Sequence, residues 1–142
     1  MKNTRSTVLA LAASLALATN SLFGGPVLTG FDSSSLAAND DGSTGFVNFG
    51  LGDLNFFGTT YTGAYLNNNG NMTFSFAEGT YTPSAITGST NNPMIASFFA
   101  DVDTRATGSG LMQYGTGTFE GRAAFGQTWR NVGYFPVRRR QA

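Results

Sequence analysis

The stretch NNNGNMTFSF, residues 67–76, decides the fold class because a tight-turn signal runs directly into a strand pattern. Asn69 and Gly70 predict a two-residue hairpin turn, since both residue types tolerate the positive φ of a type I′ turn. Behind the turn, apolar and polar side chains alternate. This alternation predicts a strand with polar residues facing solvent and apolar residues facing a core, namely Met72, Phe74 and Phe76.

The rest of the chain repeats this pattern of short apolar runs separated by turns. Glycine occurs 19 times and phenylalanine 13 times, a mixture that suits short strands and tight turns. The most apolar run after the N-terminal region, Met94 to Ala100, predicts a central strand. The sequence therefore predicts an all-β domain, built as an antiparallel β-sandwich or a twisted sheet.

The composition excludes several classes of function. The 142 residues suffice for one domain, and eight basic residues balance eight acidic ones, so the chain lacks the basic field that nucleic-acid binding needs. The chain has no cysteine and no histidine, which excludes disulfides, thiolate metal sites and a Ser-His-Asp triad. Any chemistry would fall to carboxylates, which suit hard cations or glycosidase-like pairs.

The N-terminus has the pattern of an export signal. Lys2 and Arg5 precede the uncharged apolar run Thr7 to Ala18, which is too short to span a bilayer. Small residues at positions 16 and 18 predict cleavage after Ala18. We therefore expect a signal helix over residues 1–18, a secreted or surface-associated product and no membrane span after cleavage. A buried amphipathic helix is the alternative.

The remainder divides by composition into three parts. Residues 19–37 are rich in Gly, Ser and Ala and predict a flexible arm, and residues 38–135 carry the strand pattern. Residues 136–142 form an atypical basic tail with Arg138 to Arg140, either a solvated tail or an artefact of the sequence.

The stretch FFADVDTR, residues 98–105, holds the first candidate site. On a strand, Asp101 and Asp103 would share one face and could ligate Ca²⁺ with the help of loop carbonyls. Alternatively the strand ends at this point, Asp101 bonds turn amides, and Asp103 pairs with Arg105 or Arg122. The chain lacks the D-x-[DN]-x-[DN]-G loop that would make calcium specific.

A second acidic spot lies in NDDGSTG, residues 39–45. Asp40 and Asp41 would join Asp101 and Asp103 in one metal site if the fold brought them together. The alternative is a solvated turn, which Asp and Gly favour on their own. No other cofactor is expected.

Two further functions, sugar hydrolysis and sugar binding, are compatible with individual residues. The spacing of Asp101 and Asp103 is compatible with a glycosidase pair, but nothing else in the sequence supports a cleft for sugar hydrolysis. The amides of NNNGN suit sugar hydroxyls, although a hairpin turn explains the same residues. We therefore expect a protein that is not an enzyme.

Three phrases occur in the order and spacing of the nidogen-like (NIDO) domain, in its bacterial secreted form, and the chain resembles it over residues 36–135. They are LNFFGTTYTGAYLNNNGNMTF (54–74), NPMIASFFADVDTR (92–105) and GRAAFGQTWRNVGYF (121–135). The resemblance implies an extracellular β-rich module for cell–matrix or cell-surface adhesion, without catalytic residues. Its partner would be an extracellular-matrix protein, a surface protein or a glycan. Ser97 and Phe99 depart from the Pro and Trp common in the family.

The C-terminus departs further from the family. Members continue past the NVGYF match with more strands, whereas this chain turns to PVRRRQA. The expectation is a truncated or frame-shifted fragment with an incomplete β domain, whose sheet would expose an edge and part of its core face.

Overall fold

The computed structural model describes residues 28–87 and 90–135, and within these ranges it contains antiparallel sheets and no helix. The expected all-β fold is confirmed. The predicted signal helix at 1–18 and basic tail at 136–142 lie outside the described residues. The strands are β1 (Ser34–Ser35), β2 (Ser43–Asn48), β3 (Leu54–Phe56), β4 (Thr59–Tyr61), β5 (Gly63–Asn67), β6 (Asn71–Thr73), β7 (Met94–Ala96), β8 (Gln113–Phe119) and β9 (Arg122–Thr128).

The predicted hairpin is present as β5 and β6, with Asn67 opposite Asn71 in the register. Its loop is the three residues between them, not the two-residue turn predicted from Asn69 and Gly70. Only Gly70 has positive φ there, at 83°. This is the three-residue hairpin loop in which a glycine occupies the left-handed position.

The predicted alternation along β6 is correct for only part of its length. Phe74 is buried, but Thr73 is buried too and Phe76 is 46 % exposed. The reason is that the strand ends at Thr73, whose hydroxyl donates to the carbonyl oxygen of Phe76 at 2.6 Å. The chain turns there, so the period of two does not continue.

The first sheet has four strands in the order β2-β5-β6-β7, which places β7 at its edge. The prediction of a central strand over Met94 to Ala100 is therefore wrong in both length and position. Beyond β7, the amides of Ser97, Phe98 and Phe99 donate to the carbonyl oxygen of Gly70. The segment thus folds over the hairpin loop instead of continuing the sheet.

The second sheet has three strands in the order β1-β8-β9. β1 lies within residues 19–37, so the end of the predicted arm contributes a strand to this sheet. Phe31 is only 8 % exposed and covers the outer face of the β8–β9 hairpin. A Cβ atom on Gly126 would lie 2.5 Å from Cγ of Phe31, so glycine at this position makes room for the ring.

The core lies between these two sheets. Leu66 of β5 and Met112, just before β8, are fully buried, and the rings of Phe49 and Phe125 pack 4.9 Å apart between centroids. Burying each such side chain contributes about 1.5–3 kcal/mol. Trp129 adds a polar link, since its Nε1 donates to the carbonyl oxygen of Asn68 at 2.8 Å.

The third sheet is the β3–β4 hairpin. Phe56 and Tyr61 pack on Phe74 with ring centroids 5.0 and 4.4 Å apart, which fixes this hairpin to the core. Its turn consists of Phe57 and Gly58, both with positive φ, as a type I′ turn requires. Phe57 is 93 % exposed.

Candidate functional site

The asparagines of the β5–β6 loop are buried, although the sequence predicted an ordinary surface turn. Four of them are at most 1 % exposed: Asn67, Asn68, Asn69 and Asn71. Burying an amide without partners costs about 1–3 kcal/mol in proteins, so each amide must be satisfied where it lies. The sequence carried little signal of this, because a run of asparagines before glycine is typical of exposed turns.

Asn68 and Asn69 hold the segment that contains the predicted acidic pair. Nδ2 of Asn68 donates to the carbonyl oxygens of Val102, at 2.6 Å, and of Asp40. Oδ1 of Asn69 accepts from the amide of Val102 at 2.9 Å, and its Nδ2 donates to Oδ1 of Asp41 at 2.9 Å. The loop amides therefore place the two predicted acidic stretches side by side.

Asp103 is the buried member of the predicted pair, and it forms an ion pair. The Arg105 side chain donates from Nε to Oδ1 and from Nη2 to Oδ2 of Asp103, both at 2.8 Å. Nη2 of Arg105 also donates to Oδ2 of Asp40 at 2.6 Å. Hydrogen bonds from Arg105 lower the pKa of Asp103. This arrangement agrees with the alternative interpretation of Asp103 as a partner of Arg105.

The carboxylate of Asp101 groups with those of Asp40 and Asp41, and Asp103 is not part of this group. Carboxylate oxygens of these three residues, the acidic triad below, all lie within 4.8 Å of one another. Asp101 and Asp103 share no strand face, because β7 has already ended. The pKa of Asp101 is raised, first by partial burial and then by the charges of Asp41 and Asp40. The pKa of Asp40 is also raised, mainly by burial and by Asp103.

The acidic triad lines a cavity of about 250 Å³, together with Tyr81 and Phe135. Carboxylate oxygens are the ligands that Ca²⁺ prefers, but Ca²⁺ takes about 6–8 oxygens, so the triad would supply only part of a shell. Two of the triad's oxygens already accept hydrogen bonds, from Asn69 and Arg105. Hydrogen bonds from Arg105 lower the pKa of Asp103, whereas the acid of a glycosidase pair needs a raised pKa.

An apolar surface lies on another part of the molecule. A groove of about 270 Å³ opens beside the core, where Phe125 meets residues of the four-stranded sheet and of the segment before β3. Its apolar lining includes Phe49, Leu51, Leu54, Met72, Ile95 and Phe125.

Phe57 lies at the tip of the adjoining β3–β4 hairpin. Sequence reasoning missed Phe57, although Phe-Gly in place of Asn-Gly in a two-residue turn was a usable signal.

Comparisons with known proteins identify a family for this chain. Within the described ranges, no helix has the length and apolar character needed to cross a membrane. No solved structure matches the chain. The family model described as NIDO related matches residues 19–139, which takes in the predicted arm and every strand. The chain therefore belongs to the NIDO-related family.

Proposed function

We propose that this chain is an exported, non-enzymatic interaction module that binds a protein of the extracellular matrix or of a cell surface through the β3–β4 tip. The family supports an extracellular nidogen-like module. The single observation that carries the proposal is Phe57, a large aromatic side chain that is 93 % exposed at a turn position with φ of 50°.

The Phe57 side chain is 93 % exposed, so burial does not explain its place in the turn. Bulky residues rarely adopt positive φ, and the strain costs of order 1 kcal/mol. Asn or Gly would form the same turn without that cost. Its ring contacts Phe56 edge-on, at 4.7 Å between centroids, but otherwise faces solvent. An aromatic residue that enters a partner's pocket buries about 150–250 Å² and is a typical hot spot of interfaces.

The β8–β9 turn supplies a matched control for the test. Glu120 and Gly121 form the other two-residue turn with positive φ at both positions, but Glu120 presents no aromatic ring. Binding of the purified chain to surfaces coated with extracellular-matrix proteins should weaken at least tenfold in Phe57→Asn and stay unchanged in Glu120→Asn. Equal binding by wild type and Phe57→Asn would refute the proposed site.

Export is tested separately. The full chain, expressed in a bacterium with a secretion pathway, should appear outside the cytoplasm with Thr19 as its first residue. Replacing Lys2 and Arg5 by Glu should retain the uncleaved chain inside the cell. Cleavage elsewhere, or none in the wild type, would contradict an export signal at residues 1–18.

Ca²⁺ binding at the acidic triad is a second candidate function, favoured by the 4.8 Å grouping of its carboxylates. Burial and then repulsion between carboxylates raise the pKa values of Asp40 and Asp101, and a bound cation would offset both effects. Calorimetric titration with CaCl₂ should then release heat and raise the melting temperature in wild type and in Asp53→Asn, an exposed control, but not in Asp101→Asn. The absence of heat in the wild type would eliminate this candidate.

A further inference from the structure

β9 offers the longest regular sheet edge in the part of the chain that the structure describes. Its seven residues pair with β8 without a register shift, and no described strand pairs with its other side. The remaining outer strands are poor templates: β1 has two residues, β3, β4 and β7 have three each, and β2 carries a register shift. Short or irregular edges resist pairing with another chain, whereas β9 has no such protection.

The hydrogen-bond pattern shows which groups of β9 face outward. In a hairpin with a two-residue turn, the flanking residues Phe119 and Arg122 form a hydrogen-bonded pair, and such pairs recur at every second residue. The amide of Leu36 bonds the carbonyl oxygen of Met112 from the opposite side of β8, which fits this alternation. The backbone groups of three β9 residues therefore point away from β8: Ala123, Phe125 and Gln127.

From this geometry we propose that two copies of this chain associate through β9, antiparallel and about a two-fold axis at Phe125, to form one continuous six-stranded sheet. In this register Ala123 faces Gln127 of the second copy, and Phe125 faces its own counterpart. All three are positions with outward-pointing backbone groups, so each of the three pairs forms about two backbone hydrogen bonds. The edge is thus complementary to itself, as an isologous interface must be.

The side chains of β9 are also compatible with a second copy of this chain as the partner. Phe125 lines the open apolar groove with Leu54, Met72 and Ile95, and the Phe125 of the second copy would lie beside it on the same face. Cross-strand aromatic pairs contribute about 0.2–1 kcal/mol relative to an alanine pair. The groove that each copy leaves open is thereby covered by its neighbour.

Charge also favours a second copy of this chain. In the same register Arg122 lies opposite Thr128 of the second copy, so no like charges face each other across the two strands. The chain has a formal net charge of zero, so two copies do not repel each other through a net field. Arg122 is the single charged residue within β9, and it lies at the strand's end.

Sedimentation velocity of the full chain over a concentration series tests the proposal. We expect a reversible dimer that Ala123→Pro weakens at least tenfold, because proline removes an outward N–H and leaves the β8 ladder intact. Ala123→Lys should weaken it similarly. The control is Thr118→Lys on β8, since Thr118 is the cross-strand partner of Ala123 but lies inside the sheet; it should dimerise as wild type does.

A charge exchange tests the register. Thr128→Arg places a second arginine opposite Arg122 of the other copy and should weaken the dimer, and the double variant Arg122→Glu/Thr128→Arg should recover it at low salt. Circular dichroism melts verify that every variant is folded. A wild-type chain that is monomeric at all concentrations overturns the proposal, and so does a dimer that neither Ala123→Pro nor Ala123→Lys weakens. These results are independent of Phe57, so they do not decide the proposed adhesion function.

Discussion

Nδ2 of Asn68 donates a hydrogen bond to the carbonyl oxygen of Val102 at 2.6 Å. This side-chain hydrogen bond joins the β5–β6 loop to the segment after β7, where a sheet would use a backbone hydrogen bond. The amide of Val102 completes the link on Oδ1 of Asn69. Two adjacent asparagine side chains thus do for this segment what a neighbouring strand would do. The positions of Asp101 and Asp103 depend on that link, because these two residues flank Val102.

Removing the Asn68 amide should destabilise the protein strongly. Asn68→Ala leaves buried carbonyl oxygens of Asp40 and Val102 without a donor, and each such group costs about 1–3 kcal/mol. The free energy of unfolding from urea titration should fall by about 2–5 kcal/mol. Asn48→Ala, which removes one exposed cap on the amide of Gly50, should cost less than about 1 kcal/mol. Similar losses in both variants would contradict the buried role of Asn68.

Gly70→Ala should be far more harmful than a glycine substitution with the same backbone conformation. At Gly70, φ is 83° and a Cβ atom would lie 2.7 Å from the Phe98 ring. At Gly108, φ is 85° but nothing lies within 4 Å. Gly108→Ala should cost about 1 kcal/mol of backbone strain, and Gly70→Ala at least about 2 kcal/mol more.

Fluorescence gives a direct readout of the Gly70 substitution. Trp129 is the sole tryptophan, and its ring meets Phe98 edge-on with centroids 5.1 Å apart. Displacing Phe98 should therefore shift Trp129 emission in Gly70→Ala and leave it unchanged in Gly108→Ala. Unaltered emission in Gly70→Ala would show that Phe98 is not held against the loop.

Phe57→Asn should stabilise the isolated protein. Asparagine tolerates the φ of 50° better than phenylalanine does, so the free energy of unfolding should rise by about 0.5–1 kcal/mol. Thermal melting at neutral pH measures this, with Glu120→Asn as the matched turn. A loss of stability in Phe57→Asn would show that the Phe57 ring supports the fold instead of a partner.

Acid should release the Asp103–Arg105 pair. Because the pKa of Asp103 is lower in the folded than in the unfolded state, the pair stabilises the fold fully above the unfolded value of about 3.8 and loses that effect as pH falls through the folded pKa. Asp103→Asn should therefore lower the melting temperature at pH 7 and have little effect at the lowest pH. An equal loss at every pH would assign the effect to packing.

The charge of Asp101 should have the opposite effect on the stability of the fold. Its pKa is raised in the folded state, so its charge opposes folding above that pKa, and protonation relieves this as pH falls. Asp101→Asn should therefore raise the melting temperature at pH 7 in the absence of divalent cations, whereas Asp53→Asn should change it little. A drop in melting temperature would mean that Asp101 makes a stabilising contact as a carboxylate.

The sequence correctly predicts those features of the fold in which the local residue pattern and the tertiary structure agree. The β5–β6 hairpin follows from Asn-Gly and from the strand residues on either side of it. The Asp103–Arg105 pair was one of two interpretations that local spacing allowed. These features depend on residues close to one another in the chain, which is what periodicity and turn chemistry report.

The errors arose where long-range contacts overrode local preference. Met94 to Ala100 has the apolar character of a central strand, yet the amides of Ser97 and Phe98 bond Gly70. Phe31, within the predicted arm, fills the space above Gly126, a contact that no local pattern indicates. The acidic triad joins positions about 60 residues apart, a proximity that no local pattern encodes.

The closed hairpin loop also protects Asn69 from deamidation. An Asn-Gly pair in a flexible peptide deamidates readily, because the glycine nitrogen attacks the asparagine side-chain carbonyl and expels ammonia. Here both side-chain atoms of Asn69 are engaged, Oδ1 with Val102 and Nδ2 with Asp41, so the attack geometry is out of reach until the loop opens. Once converted, the new carboxylate would stand against Asp41, and the damaged molecule would not close again as before.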